Sequence, residues 1–412
     1  MTKKSDAPAI RFKGFSDAWE QRKLGDVVKE ITRNDPESEA PIMMITANNG
    51  FIEQSERYAF NNAGESLKKY ILLKKGELAY NHGASKLRPY GSCFALTTAE
   101  NARIPFVYHC FSAENQNAEF MSIELNGAEI ENQLRKIVSS GARMDGLLNI
   151  SFDEYTSVSV LLPGTEEQDR IADFFRHLDN LITLHQRKFE KLTNVKKSML
   201  EKMFPQNGSS YPEIRFKGFT DPWEQRKLSE MCGTFEYGLN AAAKEFDGNN
   251  KYIRITDIDD ASREFLLSDL SSPDICLDGM SKYLLSSGDI VFARTGASVG
   301  KTYIYRENDG IVYFAGFLIR AKVNQDNDAE FVFQSTLSPS YEKYIRITSQ
   351  RSGQPGVNAQ EYGEYDLFAP SKEEQQRIGH FLRGIDNLIT LHQRELEKLQ
   401  NIKKSMLEKM FV

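Results

Sequence analysis

Two segments of this chain occur twice, and in each half of the chain the two segments flank an insert of about 140 residues. Residues 10–24 return as 214–228 with 13 of 15 positions identical, and residues 166–204 return as 373–411 with 29 of 39 identical. The two inserts barely resemble each other. A duplicated frame around unlike inserts indicates one scaffold that presents two different recognition surfaces.

Composition restricts the classes of protein to which this chain can belong. Its 412 residues give room for two or three domains with full cores. No run of about eighteen apolar residues occurs, so we expect no membrane span, and the N-terminus lacks signal-peptide character. The four cysteines are scattered without a C-x-x-C pair, which favours reduced thiols in a cytoplasmic protein.

The second repeated segment carries apolar residues at alternating spacings of four and three, the pattern of a coiled-coil seam. Each copy therefore predicts a helix of about 39 residues, and two equal seams in one chain are expected to pair with each other. A twofold relation between the frames requires the helices to be antiparallel. The seam histidines are expected to be structural. The seam positions are Ile171, Phe175, Leu178, Ile182, His185, Phe189, Leu192 and Met199, then Ile378, Leu382, Ile385, Ile389, His392, Leu396, Leu399 and Met406.

The predicted fold class is α+β, with two α/β domains separated by two long antiparallel helices and related by an internal pseudo-twofold repeat. Short β-branched and aromatic runs between turn residues predict strands in both inserts, and helices are expected at 128–139 and 331–347. The predicted boundaries are 1–25 for the tail and lead-in, 26–165 for the first insert, 166–212 for the central helix and linker, 213–229 for the repeated lead-in, 230–372 for the second insert and 373–412 for the C-terminal helix.

A search for catalytic motifs favours binding over catalysis. The stretch from Arg294 to Thr302 resembles a phosphate-binding loop, but Gly296 and Gly300 enclose three residues where that motif needs four. Its G-A-S portion also occurs in the first insert, which indicates a tight turn between strands. The chain contains no adenine-methylase tetrapeptide, no dinucleotide fingerprint and no histidine at metal-ligand spacing.

Polar side chains suited to DNA gather in loops of both inserts. Arg and Lys suit guanine edges and phosphates, whereas Asn and Gln suit adenine. For any one of these residues a solvated surface role is the alternative. Because the net charge is −6, a polyanion site has to be a local patch or be shared with a more basic partner. The candidates are Lys68, Lys69, Asn81, His82, Lys86, Arg88 and Arg143, then Arg294, Ser298, Lys301, Arg351, Gln354 and Asn358.

The whole pattern resembles the specificity subunit of type I restriction-modification systems, and the resemblance covers nearly the full length. It is carried by the F-x-D-x-W-E-Q-R-K-L lead-ins at 15–24 and 219–228 and by the P-x-x-x-E-Q-x-R-I helix starts at 163–171 and 370–378. The L-x-N and G-V-N stretches at 147–149 and 356–358 precede those starts, as in the family.

This resemblance implies a non-catalytic subunit in which each insert is a target recognition domain for one half of a bipartite, asymmetric double-stranded DNA site. The helices would fix the spacer and dock two modification subunits, which methylate adenine and hold S-adenosylmethionine, and restriction subunits would join the complex. No cofactor or metal is expected in this chain. The helix residues assigned to the partner-binding region are Ile171, Phe175, Leu178, Ile182, Leu192, Ile378, Leu382, Ile385, Ile389 and Leu399.

Two other functions remain open from the residues alone. The chain could be a protein-interaction scaffold without DNA binding, which salt-dependent binding of the assembled complex to duplex DNA would exclude. It could also be an enzyme, such as a nuclease, with an unrecognised site in one insert. Metal-dependent cleavage by the isolated chain would favour that alternative.

Overall fold

A computed structural model describes residues 7–47, 50–58, 64–138, 147–206, 208–351 and 353–411. The chain forms two compact units. Unit 1 comprises Met1–Thr183 and Glu397–Val412, and unit 2 comprises Leu184–Leu396. Each long helix contributes one part to unit 1 and the other part to unit 2.

Unit 1 is built around a four-stranded antiparallel sheet with the order β2-β9-β6-β7. Its strands are β1 (Glu20–Lys23), β2 (Val28–Glu30), β3 (Met43–Thr46), β4 (Gly50–Glu53), β5 (Ile71–Lys74), β6 (Leu78–Asn81), β7 (Ser92–Ala95), β8 (Asn101–Ile104), β9 (His109–Ala113) and β10 (Ser159–Leu162). Its helices are α1 (Ala118–Glu124), α2 (Ala128–Ile137), α3 (Phe152–Thr156) and the first part of α4 (Thr165–Lys202).

Unit 2 repeats this sheet with the order β12-β19-β16-β17, although the insert sequences differ. Its strands are β11 (Glu224–Lys227), β12 (Cys232–Tyr237), β13 (Ala243–Glu245), β14 (Lys251–Ile253), β15 (Ser271–Pro273), β16 (Asp289–Ala293), β17 (Thr302–Ile304), β18 (Val312–Phe314), β19 (Leu318–Val323) and β20 (Asp366–Ala369). Its helices are α5 (Leu228–Met231), α6 (Ala329–Ser335), α7 (Pro339–Thr348), α8 (Ala359–Gly363) and most of α9 (Lys372–Met410).

Both long helices form as the heptad pattern predicts, with 38 residues in α4 and 39 in α9. In unit 1 the early α4 residue Ile171 shares a core with Met410 at the end of α9. In unit 2 the late α4 residue Met203 shares a core with Ile378 near the start of α9. Start packs against end in both units, so the helices are antiparallel, as the sequence predicts.

The repeated lead-in forms an edge strand that tethers each insert to its helix. β1 pairs antiparallel with β10, and β11 pairs antiparallel with β20, just before the helix that follows. Trp19 and Trp223 are buried, as expected of packing anchors, and neither indole N–H has a hydrogen-bond partner among the residues that the structure describes. Their contribution therefore comes from apolar contact.

One helix predicted in the second insert is two separate helices in the structure. The apolar pattern over 331–347 predicts a single helix, but the structure has α6 and α7 with a break between them. Pro339 lacks the N–H that a continuing helix would use, so it occupies the first turn of α7. The Ser338 side chain accepts a hydrogen bond from the Tyr341 N–H and caps that turn.

A buried carboxyl group in unit 1 makes stability depend on pH. Glu124 lies at the end of α1, and its Oε1 accepts a hydrogen bond of 3.1 Å from the Leu161 N–H of β10. Burial raises the pKa of Glu124 from 4.5 to about 7, opposed by that hydrogen bond. The unfolded chain therefore releases the proton at a lower pH, so ionisation lowers stability as pH rises from about 4.5 to about 7.

We predict that Glu124→Gln stabilises unit 1 at pH 8 but not at pH 5. The amide oxygen retains the bond to Leu161 and removes the cost of a buried charge, on the order of 3 kcal/mol for a shift of this size. Urea unfolding at both pH values measures it, with the exposed Glu20→Gln as the matched control. Equal pH dependence of the wild-type and Glu124→Gln proteins would contradict the assignment.

Candidate nucleic-acid interface

Two equivalent hairpin loops lie at the ends of the central sheets and contain the G-A-S sequence. In unit 1 the loop joins β6 to β7, and in unit 2 it joins β16 to β17. The predicted connection between two strands is therefore confirmed, but the loops span 82–91 and 294–301 and are longer than the tight turn that the sequence predicts. Gly91 ends the first loop at φ +83°, where a Cβ would lie 2.6 Å from the Asn81 carbonyl oxygen, so the position requires glycine.

Each loop is held by the segment that leads to the short helix before β10 or β20. The Leu148 N–H donates to the His82 carbonyl oxygen at 2.9 Å, and the Val357 N–H donates to the Arg294 carbonyl oxygen at 2.9 Å. His82 and Arg294 therefore occupy equivalent backbone positions in the two units. The side chains at these positions differ in kind, which makes the two surfaces unlike.

In unit 1 two of the candidate DNA-binding side chains make hydrogen-bond contacts with backbone groups. The two ring nitrogens of buried His82 lie 2.7 Å from the carbonyl oxygens of Leu148 and Val107. The Asn81 Nδ2 donates to the Ile45 carbonyl oxygen at 3.0 Å, and its Oδ1 accepts from the Gly83 N–H at 2.9 Å. These contacts position the loop and leave little hydrogen-bonding capacity for DNA.

The basic candidates of unit 1 are more accessible. Lys86 is exposed beside Leu87, whose side chain is also exposed. Arg88 is partly buried and donates through Nη1 to the Asn126 carbonyl oxygen at 2.7 Å. Lys68 pairs with Glu65 at 2.9 Å, and Lys69 lies 6.0 Å from the centre of the Phe106 ring. Arg143 lies outside the described residues.

In unit 2 three of the candidates have partners within the fold. Lys301 forms an ion pair with Asp260, and Arg351 forms one with Glu361. Asn358 is the N-cap of α8, since its Oδ1 accepts from the Glu361 N–H at 2.9 Å and its own N–H donates to Glu361 Oε2 at 2.9 Å. The N-x-x-E spacing of a capping box is visible in the sequence and could have indicated this role.

The other three candidates of unit 2 gather at the hairpin loop. Ser298 is partly exposed, and the Gln354 amide lies over Gly296, where a Cβ would be 2.9 Å from Nε2. The Arg294 guanidinium carbon lies 5.1 Å from the centre of the Tyr237 ring. It also lies 6.0 Å from the ring centre of Phe317. Neither aromatic residue is among the candidates predicted from sequence, because those candidates are polar side chains alone.

The predicted seam residues of the helices face inward. Ile171, Phe175, Leu178, Ile378, Leu382 and Ile385 are buried, and Ile182, Leu192, Ile389 and Leu399 are partly buried. In unit 2 the Nδ1 atoms of His185 and His392 lie 3.2 Å apart, which confirms contact across the seam. Burial and the neighbouring charges of His185 and Lys188 lower the pKa of His392.

Four leucines lie off the seam and are exposed. Leu184, Leu388 and Leu391 of unit 2 are 46%, 45% and 51% exposed, and Leu181 of unit 1 is 44% exposed. They belong to the stretch L-I-T-L-H-Q-R, which is identical in both repeats. Identity between the repeats at these positions outside the seam was the sequence signal that could have singled them out.

Within the described ranges, no group of three or more His, Cys, Asp or Glu side chains is arranged to hold a metal ion. Among those same residues, no helix has the length and apolar content that crossing a membrane requires.

Comparison with known proteins identifies similar chains. Residues 220–401 match the family model of the type I restriction modification DNA specificity domain. The MjaVIII specificity subunit of a type I restriction enzyme from Methanocaldococcus jannaschii is 25% identical over 282 residues, which cover 66% of this chain and 65% of that protein. The solved structure of a type I restriction-modification S subunit from M. genitalium has a TM-score of 0.63 at 14% identity, over 98% of this chain and 99% of that one, and so shares its fold.

We predict that Asn358 acts as a helix cap. Asn358→Ala should lower the free energy of unfolding by about 1 kcal/mol, whereas Asn358→Asp retains an accepting oxygen and should leave it nearly unchanged. Urea unfolding of the two variants measures this difference. A changed DNA sequence preference in the Asn358→Asp protein, at wild-type stability, would show that the side chain also reads bases.

Proposed function

We propose that the chain is the non-catalytic DNA-recognition subunit of a type I restriction-modification complex, which its match to the specificity-domain model and its similarity to a specificity subunit support. In this proposal the sheet region of each unit reads one half of a bipartite, asymmetric site. Two modification subunits dock on the helices, hold S-adenosylmethionine and methylate adenine. Restriction subunits join through the assembled complex.

The observation that carries this proposal is the combination of one framework with two unlike loop surfaces. The two units have the same strand order and equivalent hairpin loops. At the equivalent loop position, unit 1 has a buried His82 bound to carbonyl groups and unit 2 has Arg294 flanked by exposed aromatic rings. A repeated scaffold with different side chains at its loops suits two different half-sites.

The helices suit the role of a spacer. α4 and α9 each supply residues to both units, and the helix pair is antiparallel within each unit. Matched ion pairs lie along this pairing, Asp179 with Lys403 in unit 1 and Lys196 with Asp386 in unit 2. A helix rises about 1.5 Å per residue, so the number of residues in the pair defines a length.

The net charge of the chain supports the proposal that partner subunits make part of the DNA contacts. The net charge of −6 is unfavourable for a protein that has to neutralise DNA phosphates by itself. Ion pairs within unit 2 also neutralise Lys301 and Arg351. We propose that the modification subunits supply much of the phosphate contact and that this chain supplies the base contacts.

The exposed leucines are the proposed docking surface for the modification subunits. Each repeat carries one copy of the L-I-T-L-H-Q-R stretch, so two equivalent surfaces are available. Exposed leucine on a helix gains stability when a second apolar helix covers it. Two copies of this surface favour two modification subunits.

We predict that lengthening both helices changes only the spacer of the recognised site. Duplicating residues 182–188 and 389–395 adds one heptad to each helix and preserves the phase of the seam. The pair grows by about 10 Å, which corresponds to roughly three base pairs of duplex. Genome-wide mapping of methylated adenine in cells with the partner subunits should show the same half-sites separated by a longer spacer.

The control for this experiment duplicates residues 182–188 alone, which places the two helices out of register and should abolish methylation. An unchanged spacer in the protein with both duplications would contradict the proposed role of the helices. Altered half-sites would contradict the assignment of base reading to the sheet regions.

We also predict that Leu388→Asp together with Leu391→Asp weakens assembly with the modification subunit. Two charges on the exposed face disfavour apolar burial and should reduce affinity by at least about tenfold, with little effect on folding. Titration of the purified subunits measures the affinity. Asn387→Asp, an exposed neighbour on the same helix, is the matched control and should bind normally. Wild-type affinity in the double variant would place the docking surface elsewhere.

A further inference from the structure

Arg294 is held between two exposed aromatic rings at the hairpin loop of unit 2. Its guanidinium carbon lies 5.1 Å from the ring centre of Tyr237 and 6.0 Å from that of Phe317. The Arg294 N–H donates to the Phe317 carbonyl oxygen at 3.0 Å, and the Tyr237 hydroxyl accepts from the Ala359 N–H at 3.3 Å. Backbone contacts therefore position both rings, and cation–π attraction fixes the guanidinium between them.

The hydrogen-bond donors of this guanidinium are unused among the residues that the structure describes. Its Nε is buried and has no partner. Other arginines of unit 2 bind carboxylates within the fold: Arg254 with Asp257, Arg306 with Glu330, Arg320 with Glu236, and Arg351 with Glu361. A guanidinium whose donors have no acceptor within the fold can bind an acceptor from outside the chain.

The aromatic neighbours indicate which kind of acceptor this is. Tyr237 is 45% exposed and Phe317 is 58% exposed, so both leave apolar area in contact with water. Rings in contact with the guanidinium restrict its orientation, and a planar fork held in one orientation suits a partner with two acceptors in the same plane. Among the base edges of the major groove, guanine presents two such acceptors, O6 and N7, at the spacing of an arginine fork.

We propose that Arg294 reads a guanine in the major groove of the half-site bound by unit 2, with Tyr237 and Phe317 as positioning residues. This inference rests on the proposed function and deepens it by assigning a base to one residue. The equivalent position in unit 1 cannot act in the same way, because both ring nitrogens of His82 face carbonyl oxygens of its own unit. Guanine reading at this position is therefore confined to one half of the site.

The test is Arg294→Gln in the full chain, expressed with its partner subunits and followed by genome-wide mapping of methylated adenine. The wild-type motif should require guanine at one position of one half-site. In the variant that requirement should relax, with the preference for guanine falling by about tenfold or more. The other half-site and the spacer should not change. Arg351→Gln is the matched control, because Glu361 already binds that guanidinium, and its motif should equal the wild-type motif.

Binding of the assembled complex to duplexes that differ at the single guanine separates base reading from a phosphate contact. Arg294→Lys keeps the charge but loses the planar fork, so the preference for guanine should decrease while binding to random duplex is retained. Phe317→Leu keeps apolar bulk and should weaken the preference at that same base alone. A uniform loss of affinity for every duplex in Arg294→Gln would overturn the proposal in favour of a phosphate contact.

The outcomes distinguish this inference from the function on which it rests. A motif identical to wild type at every position in Arg294→Gln would overturn the role of Arg294 and leave the proposed function intact. Absence of any bipartite methylated motif with the wild-type chain would overturn both. If Arg294→Gln does not accumulate, the duplex series with Arg294→Lys decides, because undiminished preference for guanine there would overturn the proposal.

Discussion

The antiparallel contact between the two long helices is the constraint on which both units depend. In unit 1 Phe411, just after the end of α9, packs 6.0 Å from Trp19 and 5.7 Å from Phe120, measured between ring centres. In unit 2 Phe204, just after the end of α4, packs 6.2 Å from Trp223. Each lead-in strand therefore needs the far end of the other repeat's helix to complete its core, so neither repeat is a self-sufficient folding unit.

A buried ion pair also joins each lead-in to the start of the helix that follows its insert. Arg11 binds Glu167 through two hydrogen bonds of 2.9 and 2.6 Å, and Arg215 binds Glu374 through two of 2.7 and 2.8 Å. Both glutamates are buried in the first helical turn. Losing either arginine would leave a buried charge unpaired, which is costly, so the pair specifies how the lead-in meets its helix. Ion pairing and apolar packing thus both stabilise the contact between the lead-in and its helix.

In the proposed function, the loops of the two units decide which bases are read. The equivalent positions of the two hairpins differ. The ring nitrogens of His82 lie beside carbonyl oxygens of its own unit, whereas Arg294 lies against two exposed aromatic rings. Ion pairs likewise separate candidates that look alike in sequence, since Lys301 and Arg351 are neutralised while Lys86 is exposed. Under the proposed function, the polar groups that the fold leaves without internal partners are the ones available to contact DNA.

The sequence by itself determined the repeat, the lengths of α4 and α9 and their antiparallel pairing, because heptad spacing and duplication are local, periodic signals. It also located the hairpin turns and both buried tryptophans. Tertiary structure alone decided which candidates face outward, because the partners of His82, Lys301 and Arg294 are distant in sequence and meet only when the sheet forms. The shared strand order of the two inserts was likewise invisible, since different side chains can fill the same backbone arrangement.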